Sequence, residues 1–177
     1  MKTKTINLYE FSELSDEAKQ TALNNNANTS EYFWGDDAIK SLEKFMEHFN
    51  CSLTRYSIDW FEKYRNEIKI DIPDYMENIS VKELRGYIKS MGKFNPKTKR
   101  GLGECKFTGY CADEDAADGA RKAFFGGERN LYDILYAGYK EWYRVANTDY
   151  EFQLSEEGFS EHCDANDYEF NEDGTRA

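Results

Sequence analysis

The sequence predicts an α+β fold, a small mostly antiparallel sheet packed with about five helices, and three observations predict it. Over 31–50, Trp34, Ala38, Leu42, Phe45 and Phe49, with Ile39 and Met46 alongside, recur at helical spacing. Tyr56, Ile58 and Trp60, and again Ile68, Ile70 and Ile72, alternate at the period of a strand. The chain carries 16% aromatic residues against two prolines, so a mean hydropathy of −0.86 does not signal disorder. With 177 residues, one α+β domain over 1–177 is the economical reading, ending in an acidic segment over 149–177.

Taken in order, KTINLYEF alternates as a short N-terminal strand would. Ser15 caps a helix whose first turn places Asp16 and Glu17 at the positive end of the dipole, and the Asn24, Asn25, Asn26 cluster is expected to end it. The 31–50 helix follows, then two strands joined by a short connection as a hairpin, closed by Pro73, which cannot donate to a ladder. Ser80 and Glu83 spell a capping box, and Val81, Leu84, Ile88 and Met91 continue at helical spacing to Gly92. The segment from Lys93 to Cys111 has Pro96, three glycines and no period, which predicts a long loop with a short strand at Cys105 to Thr108. A small alanine-lined helix ending at Gly126 and Gly127 comes next, then a long amphipathic helix from Asn130 to about Asn147. SEEGFSEHCDA predicts a shorter helix and DYEF a last strand, so strands near both termini are available to pair with the central hairpin.

The net charge is −11, from 34 acids and 23 Lys and Arg, which disfavours unaided wrapping of a nucleic acid and favours a basic protein surface as partner. From Asp149 to Ala177 there are ten acids and one base, so the excess is a property of the C-terminal segment. Glu156, Glu157, Glu161, Asp164, Asp167, Glu169, Glu172 and Asp173 are the candidate partner-binding residues, because spaced carboxylates imitate phosphates and compete for Lys and Arg. The same run also fits a solvated face that keeps the protein soluble. The opposite sign gathers at Lys93, Lys97, Lys99, Arg100 and Lys106. Lys97, Lys99 and Arg100 are candidates for touching RNA or DNA held by a partner, and pairing with the nearby Asp113, Glu114, Asp115 and Asp118 is the plainer alternative.

Little enzymatic chemistry is legible. His48 and His162 are the two histidines, no Gly-x-Ser-x-Gly elbow occurs, and GLG at 101–103 lacks the context of a phosphate loop. Cys51, Cys105, Cys111 and Cys163 are expected as reduced thiols in a cytoplasmic protein, and the spacing of Cys105 and Cys111 departs from a zinc knuckle, so neither a metal nor a cofactor is expected. No apolar run approaches the length of a membrane span, and the N-terminus lacks a signal-like apolar stretch. Pro73-Asp74 followed by Glu104-Cys105-Lys106 matches the loose order of a metal-dependent nuclease, which makes Asp74, Glu104 and Lys106 the alternative catalytic set. The aromatics Tyr132, Tyr136, Tyr139, Trp142 and Tyr143 occupy more than one side of the long helix, as core and as a docking surplus.

YEFSELSDEAKQTALNN (9–25), GECKFTGYCAD (103–113) and DYEFNEDGT (167–175) together resemble a class of small acidic proteins encoded by bacteriophages and prophages. Within that class the chain resembles anti-CRISPR proteins directed at Cas9-type effectors, whose guide and target channels are basic. The resemblance implies a cytoplasmic inhibitor in a bacterial host cell, with a basic nucleic-acid-handling CRISPR effector and its guide RNA as partners. A metal-dependent nuclease, or a factor promoting guide-RNA cleavage, is the enzymatic alternative; an antirestriction DNA mimic differs only in its target. The balance favours a binding protein over an enzyme.

Overall fold

Seven helices and a two-stranded antiparallel sheet make up the described residues of the chain, in the order of an α+β protein. The structure is a computed structural model that describes residues 7–29, 31–60, 65–102, 107 and 112–177, with 28 and 29 as helix backbone alone. After a 3-10 turn at Phe11–Glu13 come α1 (Asp16–Thr29), α2 (Gly35–His48), β1 (Ser52–Ser57), β2 (Glu67–Asp71), α3 (Asp74–Glu77), α4 (Val81–Ser90), α5 (Asp113–Gly126), α6 (Leu131–Gln153) and α7 (Glu156–Ala165). The chain divides into two compact units, a central one of Phe33–Asn147 and a terminal one of Met1–Tyr32 with Thr148–Ala177.

In the central unit, the apolar stripe of α2 is buried from Ala38 on as its spacing predicts, with Ala38, Leu42, Phe45 and Met46 wholly enclosed, as is Phe49 just beyond the helix. The expected first member, Trp34, instead caps a helix that spans Gly35–His48 in place of 31–50, and it is exposed. Leu84 and Ile88 of α4, Ala116, Ala117, Ala120 and Phe124 of α5, and Ile134, Leu135, Trp142 and Ala146 of α6 complete the core. The helices α5 and α6 approach at Gly119 and Gly138. A Cβ on Gly119 would stand 2.5 Å from the Ala137 carbonyl oxygen, and one on Gly138 would stand 2.4 Å from the Phe45 ring. Neither position has room for a side chain. The capping box of α4 forms as expected, with the Ser80 hydroxyl accepting from the Glu83 backbone and the Glu83 carboxylate accepting from the Ser80 backbone.

The hairpin pairs Leu53 with Ile70 and Tyr56 with Ile68, with an irregularity between Leu53 and Arg55. That extra residue puts Leu53 and Tyr56, which differ in parity, each opposite an isoleucine, so simple alternation misreads the face of β1. The connection is longer than expected, running from Ile58 to Asn66.

The terminal unit packs Phe11, Leu14, Ala18, Ala22, Phe159, Cys163 and Phe170 into a small core, with the Phe11 and Phe159 rings 5.1 Å apart edge to face. Phe170 exchanges backbone hydrogen bonds with Tyr9 at 3.0 and 2.9 Å. A turn at 171–175 then brings Gly174 over α1. Its φ is +83°, and a Cβ there would lie 2.0 Å from the Ala18 carbonyl oxygen, so both backbone and space demand glycine.

Four expectations are corrected. Among the described residues there is no N-terminal strand and no C-terminal strand; Tyr9 and Phe170 form a single bridge with each other, and Phe170 a second with Arg176, not ladders with the hairpin. Phe11 and Leu14, three apart and both buried, wind the chain into a turn where alternation would have extended it. The helix α1 continues through Asn24, Asn25 and Asn26 to Thr29; the Gln20 amide donates to Asn24 one turn on, and asparagine costs a helix only tenths of a kcal/mol more than an average residue. Likewise α6 passes Asn147, whose side-chain oxygen accepts from the Tyr143 hydroxyl at 3.0 Å, and the buried stripe continues from Trp142 and Ala146 to Tyr150. The helices number seven where about five are expected, the very short α3 among them. The expected strand at Cys105 to Thr108 lies outside the described residues, save Phe107. No described helix is long and apolar enough to cross a membrane.

Candidate protein-binding surface

Charge is segregated between the two units. The terminal unit holds 15 acids and 4 bases, and the central unit 19 of each, so the whole net charge of −11 belongs to the terminal unit. Counting along the sequence located the tail; folding adds the N-terminal Asp16 and Glu17, both exposed in the first turn of α1.

Helix α7 orders part of that charge. Ser155 caps it, its hydroxyl accepting from the Gly158 backbone at 3.1 Å, and Phe159 and Cys163 face the core. Glu157, Glu161 and Asp164 stand at i, i+4 and i+7 and therefore share one exposed face, with Glu156 beside it. Glu156, Glu157 and Glu161 also rim a surface groove with Phe11, Ser12, Lys19 and Ser160. The two described cations of this unit are turned toward rings: the Lys19 ammonium lies 5.9 Å from the Phe11 ring centre, and the Arg176 guanidinium 3.4 Å from that of Tyr168. Glu156, Glu157, Glu161 and Asp164 make no ion pair among the described residues.

The other four candidates stand outside α7. Asp167 adopts a left-handed conformation just beyond the helix, and Glu169 precedes the buried Phe170. Glu172 and Asp173 line a separate groove with Asn7, Tyr9 and Asn171. The Asp173 carboxylate accepts from the Thr175 backbone and hydroxyl at 3.0 and 2.7 Å, which holds its pKa below the ordinary value and ties it to the turn. Within the eight, the α7 residues form the ordered array.

The described part of the basic loop meets α5 through the Gly101 backbone. Phe94 and Gly101 pair as a one-rung hairpin, with the Asn95 side chain accepting from the Lys97 and Thr98 backbones. The Asp118 carboxylate takes the Gly101 N–H at 2.8 Å and the buried Arg121 guanidinium at 2.9 Å, so this acid of α5 serves its own helix and the loop backbone. Lys97 and Arg100 are exposed at the tip, whereas Lys99 donates to the Pro96 carbonyl and lies 4.6 Å from the Phe125 ring centre.

Glu141 of α6 bonds to Lys122 and Arg144, and those hydrogen bonds, Arg144 first, hold its pKa down to about 2. Burial, together with the like charges of Asp118 and Glu141, pushes Asp115 up. A depressed carboxyl adds stability above its unfolded pKa that is lost as pH falls toward 2, whereas a raised one subtracts stability once ionised. Asp115→Asn is therefore expected to raise the thermal midpoint at pH 7, with the gain shrinking as the pH is lowered and Asp115 protonates. Thermal melts of both proteins from pH 7 to 3 check this; an unchanged or lower midpoint at pH 7 contradicts it.

Of the alternative catalytic set, Asp74 is exposed at the start of α3, and Glu104 and Lys106 lie outside the described residues. Among the described residues, no three His, Cys, Asp or Glu side chains gather as a metal would require. The His48 Nε2 stands 3.0 Å from the Tyr87 carbonyl oxygen and 3.2 Å from the Ser90 hydroxyl, a position at the edge of the core. Cys51 and Cys163 are free thiols whose burial raises both to about 11, away from nucleophilic use. Comparison with known proteins finds no matching family model, no matching curated protein and no matching solved structure.

Proposed function

We propose that the protein is a phage-encoded anti-CRISPR inhibitor without catalytic activity, which sets its acidic terminal unit against the basic nucleic-acid channel of a Cas9-type effector and blocks nucleic-acid binding or cleavage. The observation that carries this reading is the segregation of charge, −11 in one unit and zero in the other, with the α7 carboxylates exposed on a common face. Like charges at i, i+4 cost a helix a few tenths of a kcal/mol, and a solubilising face does as well with its charges dispersed. Against a groove lined with Lys and Arg, the array steers encounter and exchanges counterions as a nucleic acid does.

Neutralising Glu156, Glu157, Glu161 and Asp164 together, as Gln, Gln, Gln and Asn, is expected to weaken binding to the effector at least tenfold. All four side chains are exposed, and the main cost is the loss of two first-turn acids, Glu156 and Glu157, from the positive end of α7, so stability should stay within about 1 kcal/mol of wild type. Binding and inhibition assays on purified effector, beside a denaturation curve, check both parts; undiminished inhibition by a folded variant overturns the reading. Inhibition of a restriction nuclease in place of the CRISPR effector would retain the acidic surface and overturn the target.

A further inference from the structure

A second charged surface, of opposite sign, lies in the central unit. Between Lys82 and Arg100 the chain carries seven cations and one carboxylate, Glu83, which is occupied in its capping box. Lys82, Arg85 and Lys89 stand at i, i+3 and i+7 of α4 and form an exposed stripe, on residues other than the buried Leu84 and Ile88. Gly86 sits within that stripe, one turn from both Lys82 and Lys89. A Cβ there would meet nothing within 4 Å, so the glycine answers no packing need of this molecule. It nevertheless costs the helix about 0.5–1 kcal/mol relative to alanine. Its effect is to leave bare backbone at the centre of a row of cations.

The stripe and the hairpin tip meet around one pair of rings. The Arg85 guanidinium lies 5.9 Å from the Phe124 ring centre, Phe124 and Phe125 are 5.3 Å apart, and the Lys99 ammonium lies 4.6 Å from Phe125. Lys82, Arg85, Lys89, Lys97, Lys99 and Arg100 make no ion pair among the described residues. We propose that α4 and the 94–101 hairpin form a nucleic-acid contact surface, in which a phosphodiester backbone lies along the α4 stripe over Gly86 and extends toward Lys97 and Arg100.

A polyanion with regularly repeated charge on a thin backbone fits this surface. Arginine grips phosphate with a planar fork, lysine adds point charges, and the absent side chain at Gly86 admits close approach. At 0.1 M salt the Debye length is about 10 Å, so a phosphate in contact with α4 responds chiefly to the charges around it, not to the net charge of the chain. The inference stands apart from the acidic unit, and its test contains no effector.

Fluorescence anisotropy of the full chain with a labelled RNA strand, a DNA duplex and, as a carboxylate control, polyglutamate, near 50 mM salt, reads the surface directly. Wild type should bind at least one nucleic acid and polyglutamate much more weakly. Lys82→Glu with Lys89→Glu, and separately Lys97→Glu with Arg100→Glu, should each weaken binding at least tenfold and flatten its salt dependence. Gly86→Leu leaves the charge unchanged and removes a helix-weakening glycine, yet should weaken binding severalfold while raising the melting temperature. Absence of nucleic-acid binding, equal binding of polyglutamate, or Gly86→Leu bound as tightly as wild type would overturn the proposal. So would sedimentation showing that the stripe instead holds the acidic unit of a second copy.

Discussion

Replacing Arg121 with alanine is expected to cost about 3–5 kcal/mol, much of the 5–15 kcal/mol that holds a typical domain together. The residue is 2% exposed, its Nη1 donates to Asp118 at 2.9 Å, and its guanidinium carbon lies 5.2 Å from the Phe94 ring centre. Its loss strands the Asp118 carboxylate in the interior with the Gly101 N–H as a remaining donor. Much of the cost is thus the penalty of an unpaired charge, and a second variant separates that from the worth of the pair. Arg121→Met with Asp118→Leu removes both charges, leaves the Gly101 donor unsatisfied, and should be less destabilised than Arg121→Ala alone. Urea unfolding of the two variants checks the order; a loss below about 1 kcal/mol for Arg121→Ala contradicts it.

Trp142→Ala should have a comparable effect, about 3–5 kcal/mol, for a different reason. The indole is wholly buried, donates to the Ala38 carbonyl at 2.9 Å, and stands 5.9 Å from the rings of both Trp60 and Tyr139. Deleting it opens a large cavity between α2 and α6 and removes the second hydrogen bond to a carbonyl that the α2 ladder still engages through the Leu42 N–H. Trp142→Phe refills most of the volume but not the hydrogen bond, so about 0.5–1.5 kcal/mol should remain lost. Equal stability of the phenylalanine and wild-type proteins would show that the hydrogen bond contributes nothing.

The elements legible in the sequence are those whose signals are local. Ser80 and Glu83 specify their capping box within one turn, and the α2 stripe from Ala38 to Phe49 buries as its spacing requires. The misread elements depend on partners distant in the chain. Asn147 looks like a helix stop until Tyr143 satisfies it, and beyond that residue Tyr150 packs on Tyr32, with ring centres 5.6 Å apart. DYEF has the pattern of a strand, but its neighbour is the single residue Tyr9, and no ladder grows from one rung. The bulge in β1 leaves no mark on the alternation of Tyr56, Ile58 and Trp60.

The candidate surfaces divide in the same way. Counting carboxylates finds the tail, because charge is additive along a sequence, but not the union of that tail with the first 32 residues in one unit. The basic loop is visible as a cluster. The α4 stripe is not, because Lys82, Arg85 and Lys89 are spread over two turns among apolar residues; reading i, i+3 and i+7 for charge as well as for hydrophobicity exposes it.

The proposed recognition of a basic groove by an ordered array of carboxylates is tested most directly by the salt dependence of binding. The dissociation constant of the purified effector complex, measured from about 50 to 500 mM salt, should rise steeply, with the α7-neutralised variant weaker at low salt and converging on wild type at high salt. A dissociation constant indifferent to salt, or the same steep dependence in the neutralised variant as in wild type, would contradict it.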